Sequence, residues 1–350
     1  MHIFLAGIPQ TNGGANEEAG HTSLLWRRSG IGVSSLYFTA CPCGREMVKP
    51  DPANPWVDRF AGAGIPFLAG APGRFEDVPG LPGAMIVAFC SLHLMHHWPE
   101  LDSLGCRLIW VPTMTFTRIE ETVAFGTRPP AAVVFESEFQ RSRIQSEYEA
   151  WGVKLFATIH GAFDPLPFRT LQRNAGEPFV VGRLARCCRT KWSPQLWPML
   201  TAVRAAGSDV RAICQAWDES LDFHCGNPPA WAEVYPADAI PTPEFLARCH
   251  AMLGWNWGDL CENWPRVGLE AASAGVPLVV DGRGGWPEQF ADAAIYCRSP
   301  EEYAGAILRL AADEPYRQSL IARGRERMLQ ISEPAGIAAK WRELFAQLGA

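Results

Sequence analysis

The chain has 350 residues and a formal net charge of −6, enough for two domains with cores of their own and without the basic stripe that tracks a phosphate backbone. Its eleven cysteines follow no leading apolar segment of the secretory kind, so a reduced, cytoplasmic setting with mostly free, buried thiols is expected. No apolar run approaches the roughly 20 residues that span a bilayer, which excludes an integral membrane segment and leaves only peripheral contact.

In chain order, His2–Ala6 reads as a strand, followed by a loop over 7–14 and a helix over about 16–29. Strand, glycine loop and helix together suit a phosphate, although Gly13-Gly14 alone is neither a dinucleotide fingerprint nor a Walker loop. Val33–Phe38 is a second strand. The stretch from Cys41 to Pro82 is rich in Pro and Gly, with one helix around 56–63. Cys41-Pro-Cys43 lacks the second pair that a zinc site needs. Met85–Phe89 is another strand, and SLHLMHHW after it puts His93, His96 and His97 at one-turn spacing without a carboxylate pair beside them. Arg107–Val111 and Ala132–Phe135 follow as strands. Ser137 caps a helix, and Leu155–Ile159 ends this half.

A proline-rich linker over 161–178 separates the halves, and the pattern then restarts. Phe179–Val181 is a strand, and Gly182-Arg183-Leu184 opens a loop that reaches Lys191 before a helix near Pro194. Two cations on one strand-to-helix loop suit a diphosphate, Arg as a fork and Lys as a point charge. Further strands at 211–216, 231–235 and 251–255 alternate with helices, which indicates a doubly wound parallel sheet.

The stretch from Asp259 to Phe290 is the densest in chemistry. Glu262 and Glu270 stand eight positions apart around a helix start at Trp264-Pro265, and Gly275 and Pro277 end that helix before the buried strand Leu278–Val280. A helix N-terminus attracts an anion, so a phosphate there leaves a carboxylate on either side to accept from hydroxyls. That is the shape of a ribose–diphosphate–sugar ligand. Three helices end the chain, at 300–313, 315–331 and 335–348, the last with Trp341, Leu344, Phe345 and Leu348 along one face.

The order of these features resembles a family 4 retaining glycosyltransferase of the GT-B fold. The motifs that carry the resemblance are GGAN at 13–16, VVFESEFQRSRI, IHGAFD at 159–164, GRL with the lysine at 191, ENWPRVGLEAASAGVPLV and GGWPE at 284–288. The resemblance implies two Rossmann-like doubly wound domains facing across a cleft. An acceptor-side domain would cover 1–163 and a nucleotide-sugar domain 164–350, with the last helix crossing back to the first. It implies that Arg183 and Lys191 hold the donor diphosphate, that Glu262 contacts the transferred sugar and that Glu270 binds the ribose hydroxyls. Asn263, Trp264, Arg266 and Val267 would complete the donor site with Gly13 and Gly14, and the segment at Tyr235 would border the base. Asn16, His93 and Thr113 fall on the acceptor side. The family often has a histidine at the end of the fifth strand, where this chain has Thr113 or Met114, and Pro265 lacks an N–H just after Glu262.

The expected activity is transfer of a sugar from a nucleotide-diphosphate sugar, UDP-sugar in the first instance, to a hydroxyl, with retention. No Asp-x-Asp occurs, so neither a metal nor another cofactor is expected. A small molecule or glycan is the favoured acceptor. A hydroxymethylated DNA base stays open through the aromatic and arginine content of the first half, Trp26, Trp98 and Trp110 among it. A sugar-nucleotide epimerase or hydrolase, and a non-catalytic nucleotide-sugar-binding protein, are the readings from other classes.

Overall fold

Strand segments that read as unbroken apolar runs distribute their residues, one by one, between two faces of a sheet. The computed structural model describes residues 1–10, 13–41, 49–168 and 178–349. The chain divides into two units, Met1–Phe163 with Ser332–Ala350, and Asp164–Ile331.

The first unit holds strands β1 (His2–Ala6), β2 (Gly32–Phe38), β3 (Phe67–Gly70), β4 (Met85–Phe89), β5 (Arg107–Val111), β6 (Ala132–Phe135) and β7 (Phe156–Thr158). They form one parallel sheet in the order β3-β2-β1-β4-β5-β6-β7. Helices α1 (Gly14–Arg28), α2 (Pro55–Gly62), α3 (Leu92–Ser103), α4 (Ile119–Phe125) and α5 (Glu138–Ala150) connect them. Ile3, Leu5, Met85, Val87, Ile109 and Val134 face α1 and α2, while Phe4, Ile86, Ala88, Leu108, Trp110 and Val133 face α3 and α5. Successive side chains of a strand point to opposite faces, so a sheet covered on both sides needs an apolar residue at every position.

The second unit repeats the plan. Strands β8 (Phe179–Leu184), β9 (Val210–Gln215), β10 (Ala232–Tyr235), β11 (Ala251–Gly254), β12 (Leu278–Asp281) and β13 (Ile295–Cys297) form a parallel sheet ordered β10-β9-β8-β11-β12-β13. Around it lie α6 (Leu196–Ala205), α7 (Glu219–Cys225), α8 (Thr242–Ala247), α9 (Arg266–Ala274), α10 (Trp286–Phe290), α11 (Pro300–Ala312) and α12 (Glu314–Ile331).

The last helix, α13 (Pro334–Gln347), belongs to the first unit. Its apolar face, Ile337, Trp341, Leu344 and Phe345, is buried in the core that contains Trp26. Trp341 meets Trp26 edge to face with ring centroids 4.9 Å apart, a favoured aromatic geometry.

Some expectations need correction. The strand β8 runs on through Gly182, Arg183 and Leu184, which pair with Ile213, Cys214 and Gln215 of β9, so the loop begins later than the glycine suggested. Strand β3 and helix α4 lie where neither was expected. Nine of the described cysteines, Cys106 and Cys214 among them, are thiols, as expected of most, whereas Cys41 is disulfide-bonded; Cys43 and residues 169–177 of the linker lie outside the described residues. Among the described residues no helix is long and apolar enough to cross a membrane.

Candidate active site

In each sheet the strand order reverses once, between β1 and β4 and between β8 and β11. Ligands of open parallel sheets bind outside the carboxyl ends of the strands at such a reversal. In the second unit the chain leaving β8 passes through one 3-10 turn, Arg189–Lys191, and the chain leaving β11 carries Asn256 and Glu262 on its way to α9. The reversal therefore gathers a cation and a carboxylate that are far apart in sequence.

Lys191 donates from Nζ to Glu262 Oε1 at 2.5 Å, and Asn256 donates from Nδ2 to the same oxygen at 3.0 Å. Lys191 keeps 15% and Glu262 20% of its side-chain surface exposed, so both can meet a ligand from solvent. Burial pushes the Glu262 carboxyl up, but the Lys191 ammonium, the hydrogen bonds from Lys191 and Asn256 and the Arg183 charge together bring it below its ordinary value. It stands as a carboxylate at neutral pH.

Arg183 lies beneath this pair, with only 4% of its surface exposed. Its Nη1 donates to Leu253 O at 2.9 Å, and its Nη2 donates to Lys191 O, to Trp255 O at 3.2 Å and to Asn256 Oδ1 at 3.2 Å. The Trp192 ring lies 5.5 Å from the guanidinium carbon. A strand position, with its side chain alternating inward, explains the burial.

The Glu262 backbone is fixed from the other side. Gly285 N donates to Glu262 O at 2.8 Å. A Cβ at Gly285 would stand 1.6 Å from Asn263 O, and one at Gly284, where φ is +75, would stand 2.5 Å from Glu262 O. Only glycine permits that approach. Asn263 and Trp264 are buried, and Pro265 occupies the cap position of α9, so the chain enters the helix without a proline N–H to satisfy. Arg266 and Val267 form the first turn, partly exposed, and Glu270 follows one turn later, also partly buried. Gly275 ends the helix in the left-handed conformation. Tyr235 closes the edge strand β10, where its hydroxyl donates to Glu233 Oε2 at 2.6 Å.

In the first unit, Gly13 caps α1 with φ +97, Gly14 begins the helix, and Asn16 N bonds back to Gly13 O at 3.1 Å. Among the described residues, a Cβ built on either glycine meets nothing within 4 Å beyond its chain neighbours and its own helix backbone. The three histidines separate. His97 is buried, donating to Ala40 O at 2.9 Å and stacking on Phe38, while His96 is exposed and His93 half-buried. Among the described residues no three His, Cys, Asp or Glu side chains gather as a metal site. Thr113 follows β5 by two residues. The fully buried Gln140 braces that turn, donating to Pro112 O and to Met114 O at 2.8 Å. Trp26, Trp98 and Trp110 are core residues with at most 1% of their surface exposed. Asn256 and Gln140 carried no sequence signal, since a lone amide has no spacing rule; only the fold brings them to these loops.

Two parallel-sheet α/β units of this topology are the GT-B architecture of glycosyltransferases, as the structural comparisons show. A family model described as glycosyl transferase-like matches residues 195–342. Among solved structures, the chain is similar to HepE of Anabaena in complex with UDP-glucose, at 16% identity and TM-score 0.71, covering 99% of this chain and 100% of that one. It is also similar to the sucrose-phosphate synthase of Thermosynechococcus elongatus, at 14% identity and TM-score 0.69, covering 99% of each. The pneumococcal O-GlcNAc transferase GtfA, in complex with UDP and GlcNAc, matches at 10% identity and TM-score 0.68 over 100% of this chain and 99% of that one. No curated protein matches by sequence.

Proposed function

We propose that the chain is a retaining glycosyltransferase that moves a sugar from a UDP-sugar to a hydroxyl acceptor without a metal ion. The observation that carries this reading is the Lys191–Glu262 pair at the carboxyl ends of β8 and β11, beside the start of α9. Lys191 is a charge that can turn from Glu262 to a diphosphate, and the helix start adds partial positive charge. Glu262 is then released toward the sugar hydroxyls, and Glu270, one turn on, toward the ribose. The UDP-sugars and UDP in HepE and GtfA support uridine as the base.

In this reading the acceptor oxygen bonds to the anomeric carbon on the face from which the diphosphate leaves, as the bond from that carbon to the phosphate oxygen breaks. The proton of the acceptor hydroxyl passes to the departing phosphate. Negative charge grows on the diphosphate in the transition state, which is where Lys191 acts. The acceptor we favour is a small molecule or a glycan, since the tryptophans that kept a DNA base open are core residues.

Incubating the protein with UDP-glucose and UDP-GlcNAc, with and without sugar acceptors, tests the reading by UDP release. Lys191→Ala should lower that rate by about a hundredfold or more. Undiminished release in that variant removes Lys191 from the mechanism.

A further inference from the structure

In the first unit, the loop that leaves β5 carries a cation that the protein itself leaves unused. Arg118 occupies the cap position of α4. Its Nε is buried without a hydrogen-bond partner, and among the described residues its guanidinium enters no ion pair. The carboxyl three residues on does not answer it. Glu121 Oε1 accepts from the backbone N of Arg118 at 3.3 Å, and Oε2 accepts from Trp110 Nε1 at 3.1 Å and from the Tyr148 hydroxyl. Glu121 is also buried, which holds its carboxyl above the ordinary value and makes it a poor counter-charge. Glu147, across the loop, accepts from the Thr117 hydroxyl instead. An unmet buried N–H on a guanidinium is costly, and an oxyanion is the group that the planar fork of arginine fits.

The surroundings point to a ligand as well. Ligands of open parallel sheets gather at the carboxyl ends of the strands beside the reversal, which in this sheet lies between β1 and β4. Cys90, the residue after β4, donates from its N to Val111 O at the end of β5, at 3.0 Å. It adopts φ +48, in the left-handed region that favours glycine, and among the described residues of the first unit no other non-glycine does so. Backbone strain of this kind collects at ligand sites. Burial pushes the Cys90 thiol up and the Arg118 charge opposes it, so the guanidinium makes itself felt at the end of β4. Phe116 and Ile119, which flank Arg118 in the chain, are 47% and 74% exposed, so the segment is open to solvent.

We propose that Arg118 binds an oxyanion, a carboxylate or a phosphate, carried by the acceptor, so that the acceptor is an anionic sugar rather than a neutral one. Calling this ligand the acceptor rests on the glycosyltransferase reading above; the anion site does not. The part of the acceptor that is held is then distinct from the hydroxyl that reacts, and Arg118 sets which acceptors are taken without touching the reacting atoms.

The test uses glucose, glucuronate and glucose 6-phosphate as probes. Their binding is measured by calorimetry, and each is offered as acceptor with UDP-glucose and with UDP-GlcNAc. Both anionic sugars should bind about tenfold or more tighter than glucose, and Arg118→Gln should remove that preference. Arg118→Lys keeps the charge without the fork and should keep part of it. With an acceptor that is turned over, Arg118→Gln should raise its KM about tenfold and leave kcat within about threefold. UDP affinity should stay within about twofold in both variants. Neither should move the thermal midpoint, since it is the Arg118 backbone N that bonds Glu121. Anionic sugars that bind no better than glucose, or a preference that survives Arg118→Gln, overturn the assignment. So does sedimentation with phosphatidylglycerol vesicles that depends on Arg118 while the soluble sugars are not distinguished, which would make the anion a membrane headgroup. Binding of anionic sugars through Arg118 with no turnover of either UDP-sugar sinks the glycosyltransferase reading alone, and turnover without an anion preference sinks this proposal alone.

Discussion

The partly exposed Glu262 and the buried Glu121 show opposite electrostatics. Glu262 is held below the ordinary carboxylate value once its partners outweigh burial, whereas burial keeps Glu121 above it despite hydrogen bonds from Tyr148, Arg118 N and Trp110. For Glu262 the folded chain binds its proton less tightly than the unfolded chain, so its contribution is present above the unfolded value and lost as pH falls through the lowered one. For Glu121 the contribution is present below the unfolded value and lost as pH rises through the raised one. Glu121→Gln should therefore flatten the fall in stability from mildly acid to neutral pH, as read by urea melts across that range; an unchanged slope would show that Glu121 is not its source. Glu270 is tested in binding instead. Glu270→Ala should weaken UDP affinity by about 1 to 3 kcal/mol, the worth of charged hydrogen bonds to two hydroxyls, and calorimetry with unaltered affinity would rule the ribose assignment out.

Among the elements, α13 makes the sharpest claim on stability. Trp341 is buried against Trp26 and Phe345, and deleting a buried Trp side chain costs about 3 to 5 kcal/mol through lost transfer energy and the cavity left. Trp341→Ala should lower the denaturation midpoint of the first unit accordingly, and an unmoved midpoint would mean the face is not part of that core. The apolar spacing of 341, 344, 345 and 348 was legible in the sequence, as were the strands Met85–Phe89 and Arg107–Val111, because a strand covered on both faces is apolar throughout. The short edge strand β3 was not, since Phe-Leu-Ala-Gly among prolines and glycines has neither length nor alternation. In β8 the Gly-Arg pair ends the apolar run before the strand ends, and only the register with β9 shows Arg183 inside the sheet. Motif order singled out Lys191 and Glu262 in the sequence, although other charged residues stand beside each, and the hydrogen bond that joins the two is visible only in the fold. Nothing singled out Asn256, since its meaning comes from the two side chains it lies between.

At the scale of the molecule, the same construction occurs twice: a parallel sheet with one reversal, and the loops of interest at its carboxyl ends. The two copies differ in how their chain is assigned. The second unit is one uninterrupted stretch, Asp164–Ile331, whereas the first takes its closing helix from the far side of the second, at Ser332–Ala350. Order of synthesis then matters. While a ribosome is making residues 164–331, the first unit lacks the helix that covers Trp26, and its apolar patch waits through the whole of the second unit's emergence. Translation speed over that stretch sets how long the patch is open to wrong partners, so slowing it should raise the chaperone demand of the first unit rather than of the unit being made.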